Sequence, residues 1–249
     1  IIRPIFEATF IDQSYACRKG LGTHKCAGYA QTALQNISSD SYVLQLDIRK
    51  FFYRIDREIL KRLIEKKIKD KRFVDLMMMF TDHGETMGIP IGNLLSQLYA
   101  LIYLNTLDHY IKRELKIKYY CRYVDDFILF GITQAQGIEY RQKIIEFIDS
   151  ELNLELSKST LAKAKKGVNF VGYRTWASKR FIRKRSLYNF RRAIKKSNID
   201  SAASVLGHAA KTHSLNHLMR YAQEHYHANY LQLPKIYRFD HNQAHHATN

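Results

Sequence analysis

Lys118–Gly131 reads KYYCRYVDDFILFG: two short runs rich in aromatic and aliphatic residues, with the acidic pair Asp125-Asp126 between them. Runs of this kind favour strands, and polar residues between two of them favour a reversal. The stretch predicts a hairpin of strands 118–124 and 127–131 with Asp125 and Asp126 at its tip. An acidic pair in a turn is usually just a solvated turn. Its weight depends on what the rest of the chain brings to it.

Upstream, Ser41–Ile48 (SYVLQLDI) reads as a buried strand with Asp47 near its end. If that strand neighbours the hairpin, three carboxylates converge at one sheet edge. Such a cluster is repulsive and would raise the pKa of at least one member. A hard divalent cation removes the conflict, and carboxylate oxygens with water are what Mg²⁺ prefers. Two such ions, about 4 Å apart, would activate a 3′-hydroxyl and stabilise a leaving pyrophosphate.

Helical spacing of apolar residues predicts helices over 57–68, 93–115 and 141–152. Val168–Trp176 reads as strand and turn, and helical periodicity returns from Leu187 to about Leu231. The polar tail from Asp240 to Asn249 is expected to fray. Strand, helix, hairpin, helix and strand in this order predict an α+β architecture, an antiparallel sheet backed by helices and followed by a helical module.

The 249 residues carry 40 Lys and Arg against 23 Asp and Glu, a net charge of +17. That excess points to a polyanionic partner. No apolar run approaches the roughly 20 residues needed to span a bilayer, and no signal-like segment opens the chain. Cys17, Cys26 and Cys121 lack the spacing of a zinc ribbon or a disulfide framework. A reducing, cytoplasmic setting fits them. The start at Ile1 rather than a methionine suggests a fragment.

The basic excess is concentrated. From Lys158 to Ile199, 42 residues include 14 Lys and Arg and no Asp or Glu. A charge run is usually a solvated face, yet an acid-free stretch of this length suits phosphate neutralisation. Lys179, Arg180, Arg183, Lys184 and Arg185 are its candidate nucleic-acid contacts. Interleaved aromatic residues could pack on sugars or bases.

Taken together the motifs resemble those of reverse transcriptases. Tyr123-Val124-Asp125-Asp126 resembles the family's YxDD signature, and Asp47 with Phe51-Phe52 its first palm motif. Gly88-Ile89-Pro90-Ile91-Gly92-Asn93-Leu94-Leu95-Ser96-Gln97 is similar to the segment that holds the incoming nucleotide and template base. Leu156-Ser157-Lys158 resembles the lysine-bearing motif, and Phe170-Val171-Gly172-Tyr173 the primer grip. The five occur in the family's order, within about Tyr15 to Tyr173.

The resemblance implies a right-hand polymerase with partial fingers, an antiparallel-sheet palm and a helical thumb. Residues 1–40 would be a remnant of the fingers and their connection, 41–176 the palm, 177–235 the basic thumb and 236–249 a flexible tail. It makes Asp47, Asp125 and Asp126 the ligands of two Mg²⁺ ions, for which Mn²⁺ can substitute, and adds Lys158 as a catalytic group. Phe52, Pro90, Ile91, Gly92, Ser96 and Gln97 would contact the nucleotide, and Phe170, Gly172 and Tyr173 the primer. Phe52 would act as a steric gate against a 2′-hydroxyl, with Phe51 in the core, because strand alternation sends the two to opposite sides.

Ile91-Gly92…Ser96-Gln97 and Val124 depart from the Gln-Gly…Ser-Pro and Ala forms of most bacterial relatives, and resemble the diversity-generating retroelement type. Tyr15-Ala16-Cys17-Arg18…Gly22-Thr23-His24 and Phe170–Trp176 resemble segments of that group too. This implies error-prone copying of a template RNA into cDNA, with errors at adenines, in a prokaryote or phage. The partners implied are template RNA, a cDNA or primer strand, dNTPs and a small basic oligomeric accessory protein, with no membrane. An apolar Ile91 in place of an amide fits low fidelity, since hydrogen-bonding sites discriminate more strongly than apolar ones. The competing readings are an antiphage reverse transcriptase and a non-catalytic nucleic-acid-binding protein on the same fold. Three clustered aspartates and Lys158 argue against the second.

Overall fold

A computed structural model describes residues 2–82, 84–85 and 87–238. The residues of the expected flexible tail beyond 238 lie outside the described residues. The chain divides into two compact units, Ile1–Lys166 and Gly167–Asn249, so the strands of 168–175 fold with the second.

In chain order the first unit holds α1 (Arg3–Glu7), α2 (Thr23–Gln35), β1 (Tyr42–Ile48), α3 (Phe51–Arg54), α4 (Arg57–Glu65), α5 (Lys71–Met79) and α6 (Leu94–His109). After α6 a π-helical turn, Tyr110–Glu114, leads to β2 (Tyr119–Tyr123) and β3 (Asp126–Ile132). The unit ends with α7 (Gln134–Leu152) and β4 (Leu156–Lys163). The four strands form one antiparallel sheet in the order β2-β3-β1-β4. The predicted β1 neighbours the predicted hairpin, as the convergence of carboxylates requires.

Alternation along β1 decides the layering. Leu44, Leu46 and Ile48 point into a core shared with Phe127 and Leu129 of β3, Tyr99–Leu107 of α6 and Ile144 and Ile148 of α7. Burial of apolar area at about 25 cal/mol per Å² makes this the main cohesive term of the unit. The opposite face carries Gln45 and Asp47. There α2 packs on β2 and β3 through Cys26, Ala27, Ala30 and Ala33, small side chains that let the helix lie close.

Two boundaries differ from expectation. The helix expected over 141–152 starts at Gln134, because Thr133 and Gln136 form a capping box. Phe51 and Phe52 lie on the helical turn α3, not on a strand, since Lys50 turns left-handed (φ 46°) and ends the extended run.

The second unit has a three-stranded antiparallel sheet, β5 (Val168–Phe170), β6 (Tyr173–Thr175) and β7 (Arg180–Ile182). It continues with α8 (Lys184–Lys195), α9 (Ile199–Ala209), α10 (Leu215–His225) and α11 (His227–Tyr230). Phe190, Ile194, Leu206 and Leu218 are fully buried among these helices. No helix among the described residues is long and apolar enough to cross a membrane.

Candidate active site

Antiparallel register places four residues on one rung of the first sheet: Tyr123 opposite Asp126, Asp126 opposite Asp47, and Asp47 opposite Lys158. Direct cross-strand partners point to the same face. That face is the one opposite the helical core, and the four are half-buried or exposed. Asp126 is the first residue of β3 rather than part of the tip, so the turn consists of Val124 and Asp125 alone.

Val124 has φ 58°, a region a β-branched residue rarely enters, at the first position of a two-residue turn that would suit glycine. Strain of this sort costs on the order of 1–3 kcal/mol and persists only where its surroundings impose it. Two contacts do so. The Ile48 amide donates to the Asp125 carbonyl at 3.2 Å, and Arg122 Nη1 donates to the Val124 carbonyl at 2.9 Å.

Burial pushes the Asp125 carboxyl above its ordinary pKa; the charge of Asp47 adds to this, while a backbone hydrogen bond and Arg122 oppose it. Gln45 donates its amide to Asp126 at 3.0 and 3.3 Å, and the Ser157 hydroxyl donates to an Asp47 carboxylate oxygen. The three carboxylates are a hard-oxygen donor set, which suits a divalent cation in kind. Among the described residues no three His, Cys, Asp or Glu side chains stand close enough together to hold a metal. The donor chemistry fits; Gln45 engages Asp126 and Ser157 engages Asp47.

Beside the rung, two segments dock through backbone. The Gly88 amide donates to Ile55 O and the Ile89 amide to Phe52 O, each at 2.9 Å. Gly88 has φ 83°, and a Cβ there would lie 2.8 Å from the Tyr53 carbonyl oxygen, so only glycine fits. Arg49 and Arg54 both pair with Glu155, tying α3 to the start of β4. Phe51 is 2% exposed while Phe52 is half-buried against it. The difference in burial between the two comes from a helical turn rather than from strand alternation.

Within the loop, Ile91 is 60% exposed and Gly92 is exposed, with Pro90 and Gln97 half-buried. Ser96 differs from expectation: it is fully buried, its hydroxyl without a hydrogen-bond partner among the described residues.

In the second unit Val171 and Gly172 form the two-residue turn of β5–β6, both at positive φ (42° and 90°). Phe170 and Tyr173 are buried, so this hairpin presents its turn and backbone, not those two rings. The Tyr173 hydroxyl donates to the His208 carbonyl at 2.9 Å, and the two rings stack at 4.3 Å. His208 therefore has a structural task. Lys179, Arg183, Lys184 and Arg185 are exposed, with Tyr188 beside them at 64% exposure. Arg180 differs: it is half-buried over the Tyr173 ring at 5.7 Å, and burial lowers its pKa.

Gln45, Ser157, Arg122 and Glu155 were not singled out from sequence. Gln45, Arg122 and Ser157 stood beside quoted motifs, but their partners lie on other strands and loops, so nothing local marked their roles.

Residues 1–175 match the family described as reverse transcriptase (RNA-dependent DNA polymerase). Protein YkfC of Escherichia coli K12 is 25% identical over 238 residues, covering 78% of this chain and 61% of its own length. The group II intron-encoded protein LtrA of Lactococcus lactis is 32% identical over 132 residues, covering 48% of this chain and 21% of its own. The chain thus spans less than two thirds of these relatives. Among solved structures, a telomerase from Candida albicans in complex with a TWJ fragment of telomeric RNA aligns with a TM-score of 0.57 at 11% identity. That alignment covers 92% of this chain and 45% of the telomerase, and its likeness is one of fold.

Proposed function

Because the chain belongs to the reverse transcriptase family, we propose that it is an RNA-directed DNA polymerase whose chemistry is centred on Asp47, Asp125 and Asp126. The observation that carries the reading is the rung Tyr123–Asp126–Asp47–Lys158, with Asp125 on the adjoining turn. Those aspartates would hold divalent metal, Mg²⁺ or Mn²⁺, which when bound activates the attacking hydroxyl and stabilises the leaving pyrophosphate.

The chain's own groups do the rest. Asp47 and Asp126 fix two carboxylates side by side on a rigid sheet. Lys158, opposite Asp47, supplies an ammonium at the end of the same rung, a proton donor for the leaving group. Phe52, docked against Ile89 through its carbonyl, sets the floor on which the sugar rests. Exposed Ile91 and Gly92, with Pro90 and Gln97, border the nucleotide. Residues 41–166 would serve as palm and α8–α11 as thumb. The turn Val171-Gly172 would approach the primer, and Lys179, Arg183, Lys184 and Arg185 the phosphate backbone.

The loop supports a reading of the subtype. An exposed apolar Ile91, where an amide would be the discriminating group, favours the error-prone, diversity-generating type with a template RNA and an accessory protein. Primer extension with Mg²⁺ on an RNA template tests the polymerase reading. Asp125→Asn is expected to lower extension by at least a hundredfold with template affinity nearly intact. Extension within tenfold of the parent would rule out the assignment of the aspartates.

A further inference from the structure

We infer that Arg122 is the positioning residue of the catalytic turn: its buried guanidinium, fixed by Asp108, locks the peptide that sets where Asp125 and Asp126 point. The inference rests on the polymerase reading above and adds to it a residue that touches none of the reacting atoms.

Arg122 is 1% exposed and Asp108 0%. Arg122 Nε donates to Asp108 Oδ1 at 2.8 Å and Nη2 to Oδ2 at 2.5 Å, a two-pronged pair between β2 and α6. The Tyr120 hydroxyl donates to Asp108 Oδ1 at 2.6 Å. Nη2 also donates to Ser14 Oγ at 3.1 Å, and Nη1 to the Val124 carbonyl at 2.9 Å. Four of the five N–H donors of a guanidinium are thereby directed. The backbone of Arg122 joins the same network: its amide donates to Gln13 O, and its carbonyl accepts from the Tyr15 amide.

A buried ion pair is a weak device for stability alone, because apolar side chains of similar volume do as well or better. Here it has a specific task. The Val124 carbonyl belongs to the central peptide of the two-residue turn, and turn types differ by a flip of that peptide. The first position keeps a positive φ in either primed turn, so strain at Val124, held at φ 58°, favours the turn's opening altogether. The Arg122 bond opposes it on one side, and the Ile48-to-Asp125 bond on the other. Released, the turn would relax Val124 and swing Asp125 away from the rung it adjoins.

Lysine cannot substitute, since one ammonium cannot grip Asp108 in two prongs and still reach Val124 and Ser14. The experiment compares the parent with Arg122→Lys, with the paired apolar variant Arg122→Met/Asp108→Leu, and with Arg122→Lys/Val124→Gly. Arg122→Lys and the paired apolar variant should keep primer–template Kd and dNTP KM within threefold while kcat falls at least a hundredfold. Glycine adopts positive φ without strain, so Val124→Gly should restore at least tenfold of the lost kcat in the lysine background. Exchange of the Ile48 amide, measured against Leu46, should quicken tenfold or more in Arg122→Lys. A folded Arg122→Lys or paired variant with kcat within threefold of the parent would overturn the inference. So would a loss of kcat that the glycine does not rescue. A parent that extends no primer would overturn the polymerase reading instead, and the Ile48 exchange rate would still decide for or against the lock.

Discussion

Gln45 donates its side-chain amide to both carboxylate oxygens of Asp126, at 3.0 and 3.3 Å, from a position two residues before Asp47 on the same face of β1. The donor is neutral, so it aims Asp126 without neutralising it. A hydrogen bond to a charged group contributes about 1.5–3 kcal/mol. Gln45→Leu keeps the volume and removes the donor. The expected result is roughly a tenfold loss of kcat, equal to about 1.4 kcal/mol, and a higher Mg²⁺ concentration at half-maximal extension, with the melting temperature little changed. Parent-like Mg²⁺ dependence would show that Gln45 only packs.

Gln45 also marks how far the sequence could be read. Acids inside apolar strands stand out, so Asp47 and the pair Asp125-Asp126 were legible, as was the pairing of Asp47 with Asp126 once β1 and the hairpin were taken as neighbours. A Gln in a strand carries no signal until its face is known. Strand β4 was missed because it is an edge strand of Ser, Lys and Thr whose residues are largely exposed, with no alternation to read. Helix α2 is rich in small residues and has a low apolar contrast between its faces, so periodicity did not reveal it. The early start of α7 was available in Thr133-Gln134-Ala135-Gln136, a capping signature that was passed over. Nothing local foretells Arg122: its partners lie on α6, on the turn and near Ser14.

The exposed basic residues of the second unit make a separate prediction. Among the described residues Arg183, Lys184 and Arg185 have no acidic partner, and they open α8 in a stretch without Asp or Glu, with Tyr188 alongside. Replacing all three by Gln should weaken binding to every template sequence about equally. The slope of log K against log salt should flatten by roughly 2 to 3 units, as expected for that many lost phosphate contacts. Filter binding between low and moderate salt measures it. An unchanged slope would identify the run as a solvated face.

Phe51 and Phe52 are adjacent on α3 yet differ in burial, and opposite tasks are expected of them. Phe51 is 2% exposed and meets Tyr103, whereas Phe52 is half-buried, with its carbonyl accepting from the Ile89 amide. Phe52→Ala should admit ribonucleotides by relieving the clash with a 2′-hydroxyl. Phe51→Ala should destabilise the fold by about 3–5 kcal/mol, the usual cost of emptying a buried aromatic site. Ribonucleotide incorporation and thermal melting, measured on both variants, separate the two. A rise in ribonucleotide use with Phe51→Ala alone would reverse the roles.

Ile91 tests the fidelity reading. It is 60% exposed, on a loop pinned by Gly88 at one end and capped by Asn93 at the start of α6, so its side chain can change without disturbing the core. Ile91→Gln supplies an amide able to contact both the sugar and the template-side backbone. A correctly paired nucleotide makes that contact best, so the gain falls mainly on correct insertion. A differential of about 1.4 kcal/mol changes the ratio of correct to incorrect insertion tenfold. Misincorporation opposite template adenines should therefore fall in the variant, with a smaller effect at other bases. Sequencing cDNA made from a defined RNA template reads this directly. A parent already accurate at adenines would sink the diversity-generating reading and favour the antiphage one. An error-prone parent whose adenine error rate survives Ile91→Gln would instead remove Ile91 from the fidelity mechanism and leave the subtype standing on other residues.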